Sequence, residues 1–320
     1  MWARRDRLPD MESVLGYQYK PAAHLLVTDE DAADFLQSQF TNDLRPFETG
    51  RCTYGLWLDV KGKVVADGFV LCEGEERFRI LSEACAGEVI AEQLERHIIA
   101  DDVEIEVLPA GHVIALIGAR AAAVLEALGF GIPCEGAFVQ AAGVCVFRGR
   151  RSRGADFELW AESEAVASTL KARLAGQSVE FVSGERMHAV RIAAGIPSVP
   201  GEIGPGDMPG EGALVGDAVS LSKGCYLGQE VVSRMYNVGS PQRALFRMCG
   251  SGVAPVCPIA VYNRQAKKIG ELRSAFPAGE RWQGVALLKT RFAVVGEVLK
   301  YDTGTAQIEG LFAETKKGAE

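Results

Sequence analysis

KGCYLGQE, residues 223–230, gathers an amine, a thiol, a phenol, an amide and a carboxylate into one short stretch. A cysteine is a nucleophile or a metal ligand only as its thiolate, so the surroundings of Cys225 decide what it can do. The following residues, GQEVVSRMY, read as a helix opening near Gly228 and running to Tyr236. Asn237-Val238-Gly239 stops it, and Pro241 follows. That spacing puts Cys225 and the amides after it at a helix N-terminus. Partial positive charge there, together with Lys223, favours a thiolate and can hold a carboxylate or phosphate. The residues equally allow a buried cysteine after a glycine turn, with Lys223 pointing to water.

The chain must carry that corner on something large. It has 320 residues, 48% hydrophobic and 24% charged, enough for two or three domains with substantial cores. A net charge of -8 argues against a nucleic-acid scaffold, and no apolar run is long enough for a membrane helix. Eight cysteines without a CxxC spacing suit a reducing compartment, and four scattered histidines give no zinc-like set, so no metal site is expected. The start, MWARRDRLPDM, lacks the apolar core of a secretory signal and reads as an extension before Met11.

Along the chain, HLLVT (24–28) is strand-like. Thr28 and Asp31 have capping-box spacing before a helix with apolar positions Ala32, Phe35, Leu36 and Phe40. CTYGLWLD, VVADGFVL and RFRILS then read as antiparallel strands joined by VKGK and EGEE turns, followed by a helix near 86–98 and a strand at 103–107. A second block repeats the theme: strands at 113–118, 144–149 and 157–162, helices near 119–128, 164–174 and 185–194. This order gives α+β layers, with helices on one face of a mostly antiparallel sheet. Residues 195–222 are crowded with glycine and proline, and a loop that long is usually functional. Beyond Pro241, short strands at regular spacing predict a small antiparallel barrel or sandwich, and the final residues read as a fraying tail.

KGCYLGQE resembles the signature of the YgfZ family, folate-binding proteins of iron–sulfur protein assembly or maintenance. That family is related to the aminomethyltransferase (T-protein) of the glycine cleavage system. DAADFLQSQFTNDL (31–44), DVKGKVVADGFVL (59–71) and RIAAGIP (191–197) agree in order and spacing, so the resemblance spans nearly the whole chain. It implies an α+β, three-domain T-protein-like ring with a central folate channel and a C-terminal antiparallel β-barrel. The expected parts are an N-terminal α+β folate-binding domain over 12–110 and a ferredoxin-like α+β domain over 111–194. A Gly/Pro-rich loop with the motif, 195–240, completes the folate-binding region, and the barrel occupies 241–313.

Carried over by position, the resemblance implies folate contacts at Arg191, Glu158, Tyr226, Gln229 and Glu230. Glu158, in FELW, would accept from the pterin's amino group and ring N–H, as a carboxylate can. Cys225 and Lys223 are the candidate chemical residues. Asp67 stands where the T-protein carries an aspartate that assists one-carbon transfer, and Glu211 in PGEGAL is a looser match. The function implied is a tetrahydrofolate-binding accessory protein for iron–sulfur cluster assembly or repair. The alternative is a tetrahydrofolate-dependent, aminomethyltransferase-like enzyme, and a third reading is an interaction module that has lost folate. The expected cofactor is tetrahydrofolate or a related reduced folate, and the expected partners are iron–sulfur proteins or assembly factors. Neither nucleic acid nor membrane is expected, and the chain is read as a cytoplasmic monomer, or mitochondrial if eukaryotic.

Overall fold

The computed structural model describes residues 13–239 and 241–313. The extension expected before Met11 and the fraying tail beyond Ala313 lie outside the described residues. The chain divides into two compact units. The first holds the described residues up to Gln37, Asp43–Tyr54 and Gly68–Ile196; the second holds Ser38–Asn42, Gly55–Asp67 and the described residues from Pro197 onward.

Two sheets build the first unit. One is six-stranded, in the order β11 (Val179–Phe181), β1 (Val14–Tyr19), β7 (His112–Ile117), β10 (Asp156–Ala161), β9 (Val144–Arg148), β8 (Phe138–Ala141). It is antiparallel except for β1 against β11. The other has the order β3 (Cys52–Leu58), β4 (Val64–Gly74), β5 (Arg77–Ser82), β2 (Ala23–Thr28), β6 (Glu104–Val107). β3 and β4 run on into the second unit. β1 lies inside the expected 12–110 block, yet its partners are β7 and β11. The six-stranded sheet therefore draws on residues from both expected α+β domains.

Helices α3 (Ala121–Ala127) and α4 (Glu164–Ala175) cover one face of this sheet, and Leu116, Val146, Phe157, Leu159, Leu170 and Leu174 share one core. Cys145, Phe147 and Trp160 pack on the other face with Leu71 and Leu81 of the five-stranded sheet. β10 is thus buried on both faces. Successive strand side chains point to opposite faces, so Phe157, Leu159 and Ala161 face the helices. Asp156, Glu158 and Trp160 share the opposite face.

One local expectation changes. Thr28 closes β2, and helix α1 (Ala32–Gln39) begins beyond it, with the Asp31 carbonyl accepting from Phe35 N. The Asp31 carboxylate instead accepts from Asp102 N at 2.8 Å, so the Thr28–Asp31 spacing is not a capping box.

In the second unit, strands β12 (Arg243–Ser251), β13 (Ile259–Tyr262), β14 (Lys268–Ala278), β15 (Arg281–Lys289), β16 (Val298–Tyr301) and β17 (Gly304–Leu311) close into a barrel in the order β12-β15-β14-β13-β16-β17. Closure leaves no edge strand, and Met248, Leu272, Trp282, Leu288 and Ile308 fill the interior. The expected C-terminal antiparallel barrel is present. The Gly/Pro-rich stretch is packed and not a slack linker: Val199, Ile203, Met208, Leu214 and Ala218 are buried. Within it lie a 3-10 turn, Pro209–Gly212, and a short helix α6, Val215–Ala218. Helix α5 (Gly184–Ala193) precedes it, and α7 (Gln229–Val238) follows the motif.

Candidate functional site

The motif sits in the second unit as a turn held at both ends. At its start, Lys223 is buried, and its ammonium donates to the carbonyls of Phe40 at 2.8 Å and Asn42 at 2.9 Å. It also lies 5.5 Å from the centre of the Tyr226 ring. A buried ammonium is tolerable only with such acceptors, so Lys223 acts here as a clamp on the segment after α1. The same segment is bound again by Thr41, whose hydroxyl donates to Ala218 O at 2.7 Å, and by Ser38 O, which accepts from Leu227 N at 3.0 Å.

At its other end the motif turns through Gly228, whose φ of 82° is left-handed. A Cβ there would stand 2.7 Å from Asp59 O and 2.9 Å from Gly62 Cα. Only glycine permits that approach. Gly62 (φ 70°) is the third residue of the expected VKGK turn, which Asp59 ties by accepting from Lys61 N and Lys63 N at 2.8 Å each. Two stretches distant in sequence thus meet backbone against backbone.

Between these fixed ends Cys225 is exposed. Tyr226, Leu227 and Gly228 separate it from the first residue of α7, so the thiol precedes the helix instead of sitting in its first turn. Tyr226 is buried, its hydroxyl has no hydrogen-bond partner among the described residues, and burial pushes it up to about 12. Gln229 donates to Gly224 O at 3.5 Å, bracing the turn from within. Glu230 is exposed in the first turn of α7, where a carboxylate complements the helix dipole. Asp67, on β4, is half-buried in the same unit.

Glu158 and Arg191 belong to the first unit. Glu158 is buried beside Arg151 and is not an outward-facing strand residue. Arg151 Nε donates to Glu158 Oε1 at 3.0 Å and Nη1 to Glu83 Oε1 at 2.8 Å, while Tyr19 donates to Glu158 Oε2 at 3.2 Å. The guanidinium lies over Tyr19 and Tyr17, which stack at 5.7 Å. Asp156 accepts from the backbone amides of Arg151 and Ser152 through Oδ2, but its buried Oδ1 has no partner among the described residues. Burial pushes the Glu158 carboxyl up to about 8, with Arg151 pulling it down, and Asp156 up to about 6. Arg191 is buried in the last turn of α5, and its Nη1 donates to Ile196 O at 2.6 Å. Sequence reading did not find Arg151, Tyr19 or Glu83. The available signal was DFELWA, a strand with two acids on one face and no polar partner nearby on its own strand.

A reduced folate presents a ring edge rich in N–H donors. The Asp156 orphan oxygen and the spare lone pairs of Glu158 are the kind of acceptors such an edge needs, and the stacked tyrosines supply aromatic surface. In acceptor groups and aromatic surface, then, these residues fit the group.

The chain matches the GCVT N-terminal domain family over residues 12–223, and it belongs to that family. Its relatives are of the YgfZ kind and related to the T-protein, as the motif implied. They include the iron-sulfur cluster assembly factor IBA57, mitochondrial, of Mus musculus, 27% identical over 291 residues, covering 82% of this chain and 74% of that one. The tRNA-modifying protein YgfZ of Yersinia enterocolitica is 26% identical over 230 residues, covering 72% and 69%. An aminomethyltransferase of Lysinibacillus sphaericus is 26% identical over 306 residues, covering 91% and 83%. The crystal structure of the glycine cleavage system aminomethyltransferase T from Bartonella henselae superposes with a TM-score of 0.77 at 18% identity, over 95% of this chain and 88% of that one. The fold is therefore that of aminomethyltransferase T.

Proposed function

We propose that this protein is a tetrahydrofolate-binding accessory factor for iron–sulfur cluster assembly or repair, with Cys225 as its working residue. The observation that carries the proposal is the Cys225 turn: an exposed thiol between a buried lysine clamp and a glycine-to-glycine contact. Holding a small turn this firmly, with its cysteine outward, is the arrangement a ligating or redox thiol needs. The names of the mouse and Yersinia relatives, cluster assembly factor and tRNA-modifying protein, support a role of this kind. No group of three or more His, Cys, Asp or Glu among the described residues could hold a metal ion. Cys225 would thus offer a client's cluster one ligand, with the remaining ligands coming from the client.

Under this reading Glu158 and Arg191, both of the first unit, would hold the folate. When bound, the folate supplies a one-carbon acceptor or a redox-active ring. Glu158 would accept ring N–H groups. Lys223 maintains the turn. Among the described residues no helix is long and apolar enough to cross a membrane. We place the protein in the cytoplasm, or the mitochondrial matrix of a eukaryote, acting as a monomer on iron–sulfur clients.

The test is complementation. Cells lacking the protein are assayed for [4Fe–4S] enzyme activity and supplied with wild type or Cys225→Ala. Rescue by wild type alone is the expected result; equal rescue by Cys225→Ala removes the thiol from the proposal.

A second reading is one-carbon transfer with Asp67 assisting. Its support is the position of Asp67 on β4, beyond the Gly62 turn, and the aminomethyltransferase relative covering 91% of this chain. It predicts folate-dependent release of ammonia from an aminomethyl donor, lost in Asp67→Asn. No turnover with wild type refutes it.

A further inference from the structure

A buried clasp joins the Gly/Pro-rich strap to the barrel within the second unit, and the function above makes no use of it. Arg243, the first residue of β12, donates from Nε to Glu211 Oε1 at 2.8 Å and from Nη2 to Glu211 Oε2 at 2.7 Å. Its Nη2 also reaches Asp207 Oδ1 at 3.1 Å. Arg273 of β14 holds the same aspartate, Nη1 to Oδ2 at 3.3 Å. Asp207 and Glu211 are buried, at 2% and 6% exposure, so these guanidiniums are the cations that make the acids tolerable there. Glu211 Oε2 further accepts from Met208 N at 2.8 Å, fixing the head of the 3-10 turn Pro209–Gly212.

The clasp does not end at the barrel. The carbonyl of Asp207 accepts from Val64 N at 2.9 Å, at the start of β4 and just past the Gly62 turn. The Met208 side chain lies 3.3 Å from where a Cβ of Gly62 would stand, and Gly62 is the residue pressed against Gly228. The 3-10 turn touches both β12 and α7. A continuous path therefore runs from Arg243 through Glu211, Asp207 and Met208 to Gly62, Gly228 and the turn bearing Cys225.

We infer that Arg243 is a positioning residue for Cys225: the barrel, through this clasp, sets the geometry of the motif turn. Bidentate geometry is what matters. A guanidinium fork fixes the direction of Glu211, while an ammonium would fix only a distance. The inference rests on the proposed function only for its consequence, because thiol reactivity reports the turn whether or not Cys225 serves iron–sulfur enzymes.

The experiment is alkylation of the full chain by iodoacetamide, well below its unfolding temperature, with each cysteine followed by peptide mass spectrometry. Cys249, buried on β12, reports any opening of the barrel. Arg243→Met is expected to speed modification of Cys225 only about twofold while Cys249 stays protected, because the thiol is already exposed and what changes is the geometry of its turn. Arg243→Lys, which keeps the charge and loses the fork, should restore only part of the difference. If Arg243→Met does not fold, Glu211→Gln, alike in shape but uncharged, is expected to give an acceleration of about twofold. An unchanged Cys225 rate in a folded variant overturns the inference. So does acceleration that appears only together with labelling of Cys249, which would make Arg243 a residue of stability alone.

Discussion

The two units each bury an arginine–carboxylate cluster, and the clusters differ in how their acids are partnered. In the first unit one guanidinium, Arg151, faces Glu158 and Glu83, while Asp156 takes only backbone amides. Negative charge outnumbers positive, and burial leaves the Glu158 and Asp156 carboxyls pushed up to about 8 and about 6. In the second unit Arg243 and Arg273 meet Asp207, Glu211 and the rim acid Glu271, so each of these acids has a guanidinium against it. A third buried acid, Glu202, accepts from the Ser274 hydroxyl at 2.6 Å and from Ser198 N at 2.9 Å. Burying a charge is costly unless a partner stands against it, so a set whose acids all have partners suits a structural clasp. The first set retains acceptor capacity that only a donor-bearing ligand, or a proton, can use. That difference supports Glu158 and its neighbours as a ligand site and Arg243 as a positioning device.

The largest loss is expected at Arg151. Arg151→Met removes the guanidinium that faces Glu158 and Glu83 and should cost roughly 3–5 kcal/mol at pH 9, where Glu158 is ionised, the usual penalty for orphaning a buried ion. Urea unfolding at pH 9 measures it; a loss below about 1 kcal/mol would mean that the cluster is solvated. Arg243→Met should cost less, about 1–3 kcal/mol. The Arg243 side chain is 32% exposed, and Arg273 still holds Asp207. Equal losses in the two variants would erase the distinction drawn between the clusters.

Much of this architecture is legible in the sequence because its signals are local. The barrel strands announce themselves by apolar alternation and turn residues, and KGCYLGQE by its composition. β1 is not legible: VLGYQY has a glycine in its middle and a polar end, and its burial comes from β7 and β11, far along the chain. β17 is hidden similarly, since GTAQIEGL buries only Ala306 and Ile308. Lys223 illustrates the harder limit. Its acceptors are backbone carbonyls 183 and 181 residues away, and a carbonyl has no side-chain signature to search for. Gly62 and Gly228 are visible as turn glycines, but that they are turns pressed on each other is a property of the fold alone.

Per pH unit the expected effect is the smallest, and it separates the clusters by titration. Glu158 has its carboxyl raised by burial from 4.5 to about 8, so the folded protein binds a proton there that the unfolded chain has released. Across that window the folded state holds more protons, and stability therefore falls as pH rises from about 4.5 towards 8. The slope from this one site is on the order of 1 kcal/mol per pH unit. Glu158→Gln keeps the shape and the hydrogen-bond acceptor while removing the titration. Urea unfolding of wild type and variant at pH 5, 6, 7 and 8 should show the variant's stability falling less steeply over the range. Glu211→Gln, in the partnered cluster, should leave that slope as it is in the wild type. Parallel curves for wild type and Glu158→Gln would mean that Arg151 holds Glu158 fully ionised throughout. The first cluster would then be a second clasp, and the case for a ligand at Glu158 would lose its physical basis.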